Sequence, residues 1–266
     1  MKKIAYIFAA IAAVAAVGCQ KFEKETVVKT RTLVCSFDAT KTTLDDNGKS
    51  PKWAVGDKIK LIDTTGSELV TLTTDDIKDD NSRIEIETKL QGETIYAVYP
   101  ASAAVSTSVT NDIVNFTTAK QDGSFAKANI CVAKENNGTL SFQNATAIVN
   151  VKNTNRPHFV RISSDSIFVG TMSYDFTTKQ FTKPETGSTK CSKGDNINGN
   201  TSITEVPTVL SEIFYAVPGG ITYSFKAKKY EIDTSFMKVN KIYTYEPQKK
   251  ELETGKIYTI TPAFAI

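Results

Sequence analysis

Apolar and polar residues alternate with a period of two along most of this chain, and the alternation comes in short runs. Around Leu33, the residues Leu33, Cys35, Phe37 and Ala39 fall on one face, with Val34, Ser36 and Asp38 on the other. That is the pattern of a half-buried strand. Lys52 to Leu61 leads into a second strand, and short strands are predicted at Leu69–Leu72, Ile84–Ile86, Ile95–Tyr99 and Ile113–Phe116. Turn residues separate them: Asn47-Gly48, Gly66, Asp79-Asp80-Asn81, Gln91-Gly92 and Pro100. The second half repeats the rhythm at Thr139–Phe142, Ala145–Val151, Phe159–Ile162, Ile167–Met172 and Ile213–Val217. It continues at Ile221–Ala227, Ile242–Tyr245 and Ile257–Ile260. Lys183 to Thr208, rich in Thr, Ser, Gly, Asn and Lys, reads as a long loop. No stretch shows the 3.6-residue period of an amphipathic helix. Short alternating strands with Gly, Asn, Asp and Pro between them predict an all-β fold.

One segment has an echo. Tyr96-Ala97-Val98 in the first half is matched by Tyr215-Ala216-Val217 in the second. Short β segments resemble one another by chance, but the placement of the pair suggests two β-sandwich domains of similar plan. The polar triplet Asn136-Asn137-Gly138 marks the expected boundary, giving domains over 32–136 and 137–266.

The N-terminal segment has a different character. Lys2 and Lys3 precede an uncharged apolar run, Ile4 to Val17, which closes on Ala16-Val17-Gly18-Cys19. The run is short for a membrane span and suits the core of a signal peptide, here 1–18. Small residues before a cysteine suit cleavage there and diacylglyceryl transfer to Cys19; the alternative is an ordinary secretory signal with an incidental cysteine. Residues 19–31 are charged, lack apolar periodicity and read as a tether. Of 32 Lys and Arg, two lie in the leader, leaving 30 against 29 acidic residues. With near-neutral charge and no Lys/Arg run along the chain, nothing recommends nucleic acid as a partner. No later stretch is apolar for long enough to cross a bilayer, so lipid on Cys19 is the expected anchor to the outer membrane.

Catalytic and metal chemistry finds little support. The single histidine, His158, has no Cys or His neighbour to make a zinc site or a triad. Nucleophile elbows, phosphate loops and dinucleotide fingerprints are missing from the sequence. Asp75-Asp76-Ile77-Lys78-Asp79-Asp80 is acidic but lacks calcium-loop spacing and carries a lysine in its middle, so it reads as a solvated loop. No metal, no cofactor and no enzymatic activity are expected. Beyond Cys19, the three cysteines at 35, 131 and 191 are too widely spaced for a disulfide framework, although a Cys131–Cys191 bridge stays open. Trp53, the one tryptophan, is either a sugar-stacking platform or a residue packed at a strand edge before a Gly56-Asp57 turn.

Several ordered blocks together resemble the fimbrillin family of Bacteroidota, subunits of type V pili, and within it the Mfa-like branch. Lys41-Thr42-Thr43-Leu44 followed by Lys52-Trp53-Ala54-Val55-Gly56-Asp57-Lys58-Ile59 resembles the family's Trp-x-x-Gly-Asp segment. Ile95-Tyr96-Ala97-Val98-Tyr99-Pro100 resembles its strand ending in Tyr-Pro. Leu140 to Ala147 resembles the strand pair opening its second domain, and Gly255-Lys256-Ile257-Tyr258 its closing strand. The resemblance implies two transthyretin-like antiparallel Greek-key β-sandwich domains in a lipid-anchored protein of the cell surface. It implies assembly by strand exchange with other fimbrial subunits after an arginine-directed cut, for which Arg31 is the candidate. The element affected would then be Leu33–Phe37 or the strand before it. It further implies adhesion to host or bacterial surface ligands. The segment 19–31 is short beside a stalk subunit's pro-segment, so a tip, anchor or accessory role is as well supported as a stalk role. The alternative is a glycan-binding surface lipoprotein of a polysaccharide uptake system, which requires Trp53, Tyr223, Tyr230 or Tyr245 to face solvent.

Overall fold

A computed structural model describes residues 29–38, 51–152, 158–192, 212–224, 226–233, 238–245 and 249–260. The strands of the first half are β1 (Arg31–Phe37), β2 (Lys58–Ile62), β3 (Ser67–Thr71), β4 (Ile77–Lys78), β5 (Arg83–Thr88), β6 (Tyr96–Tyr99), β7 (Ile113–Thr117), β8 (Cys131–Asn136) and β9 (Thr139–Asn144). A one-turn helix, α1 (Phe125–Ala128), precedes β8. The second half holds β10 (Ala147–Lys152), β11 (His158–Ser163), β12 (Val169–Asp175), β13 (Gln180–Thr182), β14 (Gly187–Ser188), β15 (Lys190–Ser192) and β16 (Glu212–Val217). Then follow β17 (Ile221–Tyr223), β18 (Lys226–Asp233), β19 (Lys238–Tyr245), β20 (Lys250–Leu252) and β21 (Ile257–Ile260). The fold is all-β.

Eight strands form one sheet in the order β3-β2-β6-β8-β9-β1-β5-β4. Every pairing in it is antiparallel except β1 with β9. The sheet curls on itself. Glu68 of β3 accepts hydrogen bonds from Thr88 Oγ1 (2.7 Å) and the Lys89 amide (2.9 Å) at the end of β5, so its two ends meet. Inside the curl lies a core of Leu33, Cys35, Trp53, Ile59, Ile86 and Phe142, with their neighbours.

In the second half, β16-β10-β21 form a three-stranded sheet whose β10–β21 pairing is again parallel. Val149, Ile162, Phe168, Tyr215 and Tyr223 pack beneath it as a second core. A third core lies between the halves. Tyr96, Val98 and Val132 come from β6 and β8, Ile148, Phe214 and Ala216 from β10 and β16. Val114 and Phe116 of β7 join Met172 and Tyr174 of β12 around it. The layers therefore run core, sheet, core, sheet, core. Each sheet buries both faces, which is why β6 and most of β16 are apolar throughout rather than alternating.

This layering corrects the domain boundary. Asn136-Asn137-Gly138 is the turn of the β8–β9 hairpin, with Asn137 and Gly138 both at positive φ (51° and 77°), as a two-residue hairpin turn requires. β9 thus belongs to the first sheet, and the chain passes into the second at Ala145-Thr146. The echo is a pair of sheet-centre strands with opposite polarity. Tyr96 and Val98 face the shared core, whereas in β16 the residue facing it is Ala216, with Tyr215 and Val217 turned to the second-half core. Within the loop expected at Lys183 to Thr208, β14 and β15 are strands; 193–211 lie outside the described residues. β8 was missed in the strand pattern because Cys131, Val132 and Ala133 are all buried.

Candidate functional site

β1 is the first described strand of the chain and occupies an interior slot of the eight-stranded sheet. On one side it runs antiparallel to β5, from Arg31 opposite Thr88 to Ser36 opposite Arg83. On the other it runs parallel to β9, from Val34 beside Thr139 to Phe37 beside Phe142. Its neighbours in the sheet are far away in sequence, so no hairpin ties it in place. Leu33 and Cys35 are fully buried. Burying one such leucine contributes on the order of 2 kcal/mol. Burial also pushes the Cys35 thiol up to about 12, so the group stays a neutral packing element.

The C-terminal end of β1 is held by rings. Phe37 stacks on Trp53 at 4.3 Å between centroids with 21° between planes. Tyr99 and Phe142 meet the same indole edge-on at 5.2 and 5.4 Å. Burial and an adjoining Asp57 hold the Tyr99 phenol well above its ordinary range. Trp53 itself is set by a tight turn in which the Asp57 amide donates to the Ala54 carbonyl (3.0 Å), with Gly56 at φ +89°. At 1 % exposure Trp53 offers no ring face to a sugar, which removes it as a glycan platform. Tyr223 is likewise buried, and Tyr230 and Tyr245 lie in β18 and β19, whose side chains are outside the described set. What the sequence left open, the packing decides: Trp53 is the anchor of β1.

The N-terminal end is held by charge. Arg31 opens β1, and its Nη2 donates to Glu135 Oε2 at 2.8 Å. The same oxygen accepts from the Ile95 amide (3.0 Å), so Glu135 joins β1 to the β6–β8 pair. Arg31 Nε is buried without a hydrogen-bond partner among the described residues. Arg31 is therefore a paired strand residue. A cut after it would remove the segment before β1 and leave Thr32–Phe37 seated. Cys19 lies outside the described residues.

The remaining sequence-level candidates sit apart from this slot. In the acidic stretch, Asp76 Oδ2 accepts from Thr73, Lys78 Nζ donates to the Asp75 carbonyl, and Asp79 pairs with Arg83 (3.0 Å). These carboxylates serve turns and ion pairs and do not converge on one point. Among the described residues, no group of three or more His, Cys, Asp or Glu could hold a metal, and no helix is long and apolar enough to cross a membrane. Cys131 is a free, buried thiol with Asn144 Oδ1 at 3.1 Å, so the Cys131–Cys191 bridge is not formed.

Asp63 is the centre of a polar knot. It is fully buried, yet its carboxylate accepts from the Thr65 amide (2.7 Å) and hydroxyl (2.7 Å), the Gly66 amide (2.9 Å) and the Gly92 amide (2.8 Å). Burial works to raise its pKa, but the bonds from Thr65, Gly92 and Gly66 outweigh that and hold it below the ordinary carboxylate value.

No protein-family model matches the chain, and no curated protein does so either. Among solved structures, a fimbrial protein from Bacteroides ovatus aligns at 13 % identity and a TM-score of 0.36, covering 88 % of this chain and 49 % of that one. The chain thus spans about half the length of that protein. A fimbrial protein from Bacteroides vulgatus aligns at 10 % identity and a TM-score of 0.33, covering 87 % of this chain and 94 % of that one. A major pilin from Streptococcus pyogenes aligns at 11 % identity and a TM-score of 0.19, over 87 % and 96 %. These are loose likenesses.

Proposed function

We propose that this chain is a lipid-anchored cell-surface protein of pilus type, a stalk, tip, anchor or accessory subunit, and that β1 is its exchangeable strand. The observation that carries the reading is the position of β1: the first described strand fills an interior slot, between partners distant in sequence. Withdrawing an internal strand would drag two connections through the sheet. With the segment before it cut away, withdrawing β1 would disturb only the connection that follows it. The slot left between β9 and β5 would expose unpaired backbone N–H and C=O groups along both walls. Its floor would lose Leu33 and Cys35. An inserted strand from another subunit, with apolar residues at alternate positions, would satisfy both.

The same geometry bears on the processing. Cleavage at Arg31 trims the tether without opening the slot; release of β1 requires a cut beyond Phe37. A lipid on Cys19 would hold the unprocessed chain at the outer membrane, and the cut would free it from that anchor. The partners are other subunits of the same kind, and the role is structural rather than enzymatic.

Intact mass and N-terminal sequencing of the protein recovered from the cell surface test the reading. A chain beginning beyond Phe37, in oligomers that resist mild dissociation, is the expected result. A chain beginning at lipid-modified Cys19 or at Thr32, monomeric under the same conditions, would overturn strand exchange through β1.

A further inference from the structure

Among the described residues, β6, β8, β10 and β16 each bury three or more apolar residues in succession. β6, β8 and β10 have a strand on either side, whereas β16 stands at the rim of the sheet β16-β10-β21. Its stretch Ile213 to Val217 is uncharged, and every residue in it is buried. A strand of that character with a bare edge pairs readily with another copy of itself. The edge of β16 is not bare.

Phe214 and Ala216 turn their backbone groups away from β10. The Phe214 amide donates to the Gly123 carbonyl (2.8 Å), and the Ala216 amide donates to Gln121 Oε1 (2.5 Å). Gln121 Nε2 donates in return to the Ala216 carbonyl (3.1 Å) and to the Thr118 carbonyl (2.6 Å). One carboxamide thus gives Ala216 both bonds that a residue of a neighbouring strand would exchange with it. The segment that carries Gln121 is not itself a strand. Gly123 sits at φ +81°, outside the extended region, and Ala119, Lys120 and Asp122 are exposed, so the segment offers no new edge behind it. Its ends are rooted elsewhere. The Thr118 amide donates to the Gly170 carbonyl (3.0 Å) and its hydroxyl to the Phe168 carbonyl (2.8 Å), while Ser124 Oγ caps α1 by accepting from the Lys127 amide (3.3 Å).

We propose that the outer edge of β16 is a latent self-association surface that Gln121 holds closed, and that its occupant, once opened, is β16 of a second copy. A strand laid against β16 must bury apolar residues on both faces. Of the described strands with that character, β6, β8 and β10 are enclosed by neighbours in their own sheets, so β16 of another copy is the one with an edge to offer. Two such edges set antiparallel about a two-fold axis satisfy each other's outward amides and carbonyls, a self-complementary contact. No like charges oppose one another along Ile213 to Val217 in that pairing. Gln121 is therefore a positioning residue for the monomer: it occupies the rung that a second copy would take.

The test compares the purified parent and Gln121→Ala proteins under reducing conditions, by sedimentation velocity over a concentration series and by hydrogen exchange of the peptides covering 212–217 and 31–37. Each hydrogen bond lost is worth roughly fivefold, so removing the three made by Gln121 should open the edge about a hundredfold more often. Gln121→Ala should then dimerise at a concentration at least about tenfold below any at which the parent does. In dilute solution its 212–217 peptide should exchange faster than the parent's, and it should regain protection at concentrations where the variant dimerises. Should Gln121→Ala fail to fold, Gln121→Asn, which keeps the amide but is one methylene too short to reach Ala216, supplies the same readouts. A variant that stays monomeric across the series, or dimers whose 212–217 peptide gains no protection, would overturn the assignment. Exchange through β1 acts on the 31–37 peptide instead, so failure of either mechanism leaves the other standing.

Discussion

If β1 can leave its slot without the rest of the molecule unfolding, Cys35 should report the event. The thiol is fully buried, and with its pKa raised to about 12 it is almost never a thiolate near neutral pH. Alkylation therefore proceeds through an opened state, at a rate proportional to that state's population. Leu33 lies two residues away on the same face, also fully buried. Leu33→Ala removes three buried carbons from β1 and should cost about 3 kcal/mol. At 1.4 kcal/mol per tenfold, that raises the open population about a hundredfold. Cys131 on β8 is the internal control, since it is equally buried but belongs to a strand that stays. The assay is mass-resolved alkylation of a Cys191→Ala chain lacking the leader and Cys19, following the peptides of Cys35 and Cys131 separately. Expected is faster alkylation at Cys35 than at Cys131 in the parent, and a roughly hundredfold acceleration at Cys35 in Leu33→Ala. Equal alkylation rates at the two thiols, in parent and variant alike, would mean that β1 leaves only in global unfolding, and the exchange mechanism would be refuted.

Trp53→Ala should destabilise the fold by about 4 kcal/mol in denaturant titration, because it removes the indole that Phe37, Tyr99 and Phe142 pack against. Gly92→Ala should cost stability through the Asp63 knot, since a Cβ there would lie 2.6 Å from Asp63 Oδ2; a lowered melting temperature checks it. Acid should weaken the join between the halves. Asp112 accepts from Lys134 (2.6 Å), Tyr96 and Thr177 (3.1 Å), and these bonds, Lys134 foremost, hold its pKa below the ordinary 3.8. A carboxylate with a lowered folded pKa contributes stability above its unfolded value and loses it as pH falls through the folded one. Urea titrations at about pH 7 and below pH 4 should show that loss in the parent protein and a smaller one in Asp112→Asn. Alkali should act through Cys35: its stability is complete below the ordinary thiol value of 9.0 and falls as pH rises toward 12, and Cys35→Ala should flatten that limb in the same titration.

Much of the β content was legible because short amphipathic strands declare themselves by period. β5, with Ile84 and Ile86 buried between Arg83, Glu85 and Glu87, is such a case. The pattern failed where a sheet buries both faces, since a strand such as β8 then shows apolar residues in succession and its partners are set by tertiary packing alone. For the same reason Asn136-Asn137-Gly138 read as a domain break: a turn sequence specifies a reversal of direction, not which sheet the next strand joins. Trp53 was ambiguous for a different reason, as a ring's exposure depends on what stacks on it, and Phe37 comes from a strand sixteen positions earlier.

The double-sided seating of β1 has a mechanical consequence. In a fibre built by the proposed strand exchange, tension would run along the exchanged strand, and a strand tugged along its own axis loads its cross-strand hydrogen bonds in shear. With β5 on one side and β9 on the other, β1 spreads that tension over two walls at once, so its rungs yield together rather than one after another. A strand placed at the rim would peel open from one end. Under the proposed exchange, the slot in which β1 is replaceable would thus also be the seat from which it is hardest to tear, and a donated strand lying there would inherit the same resistance to traction.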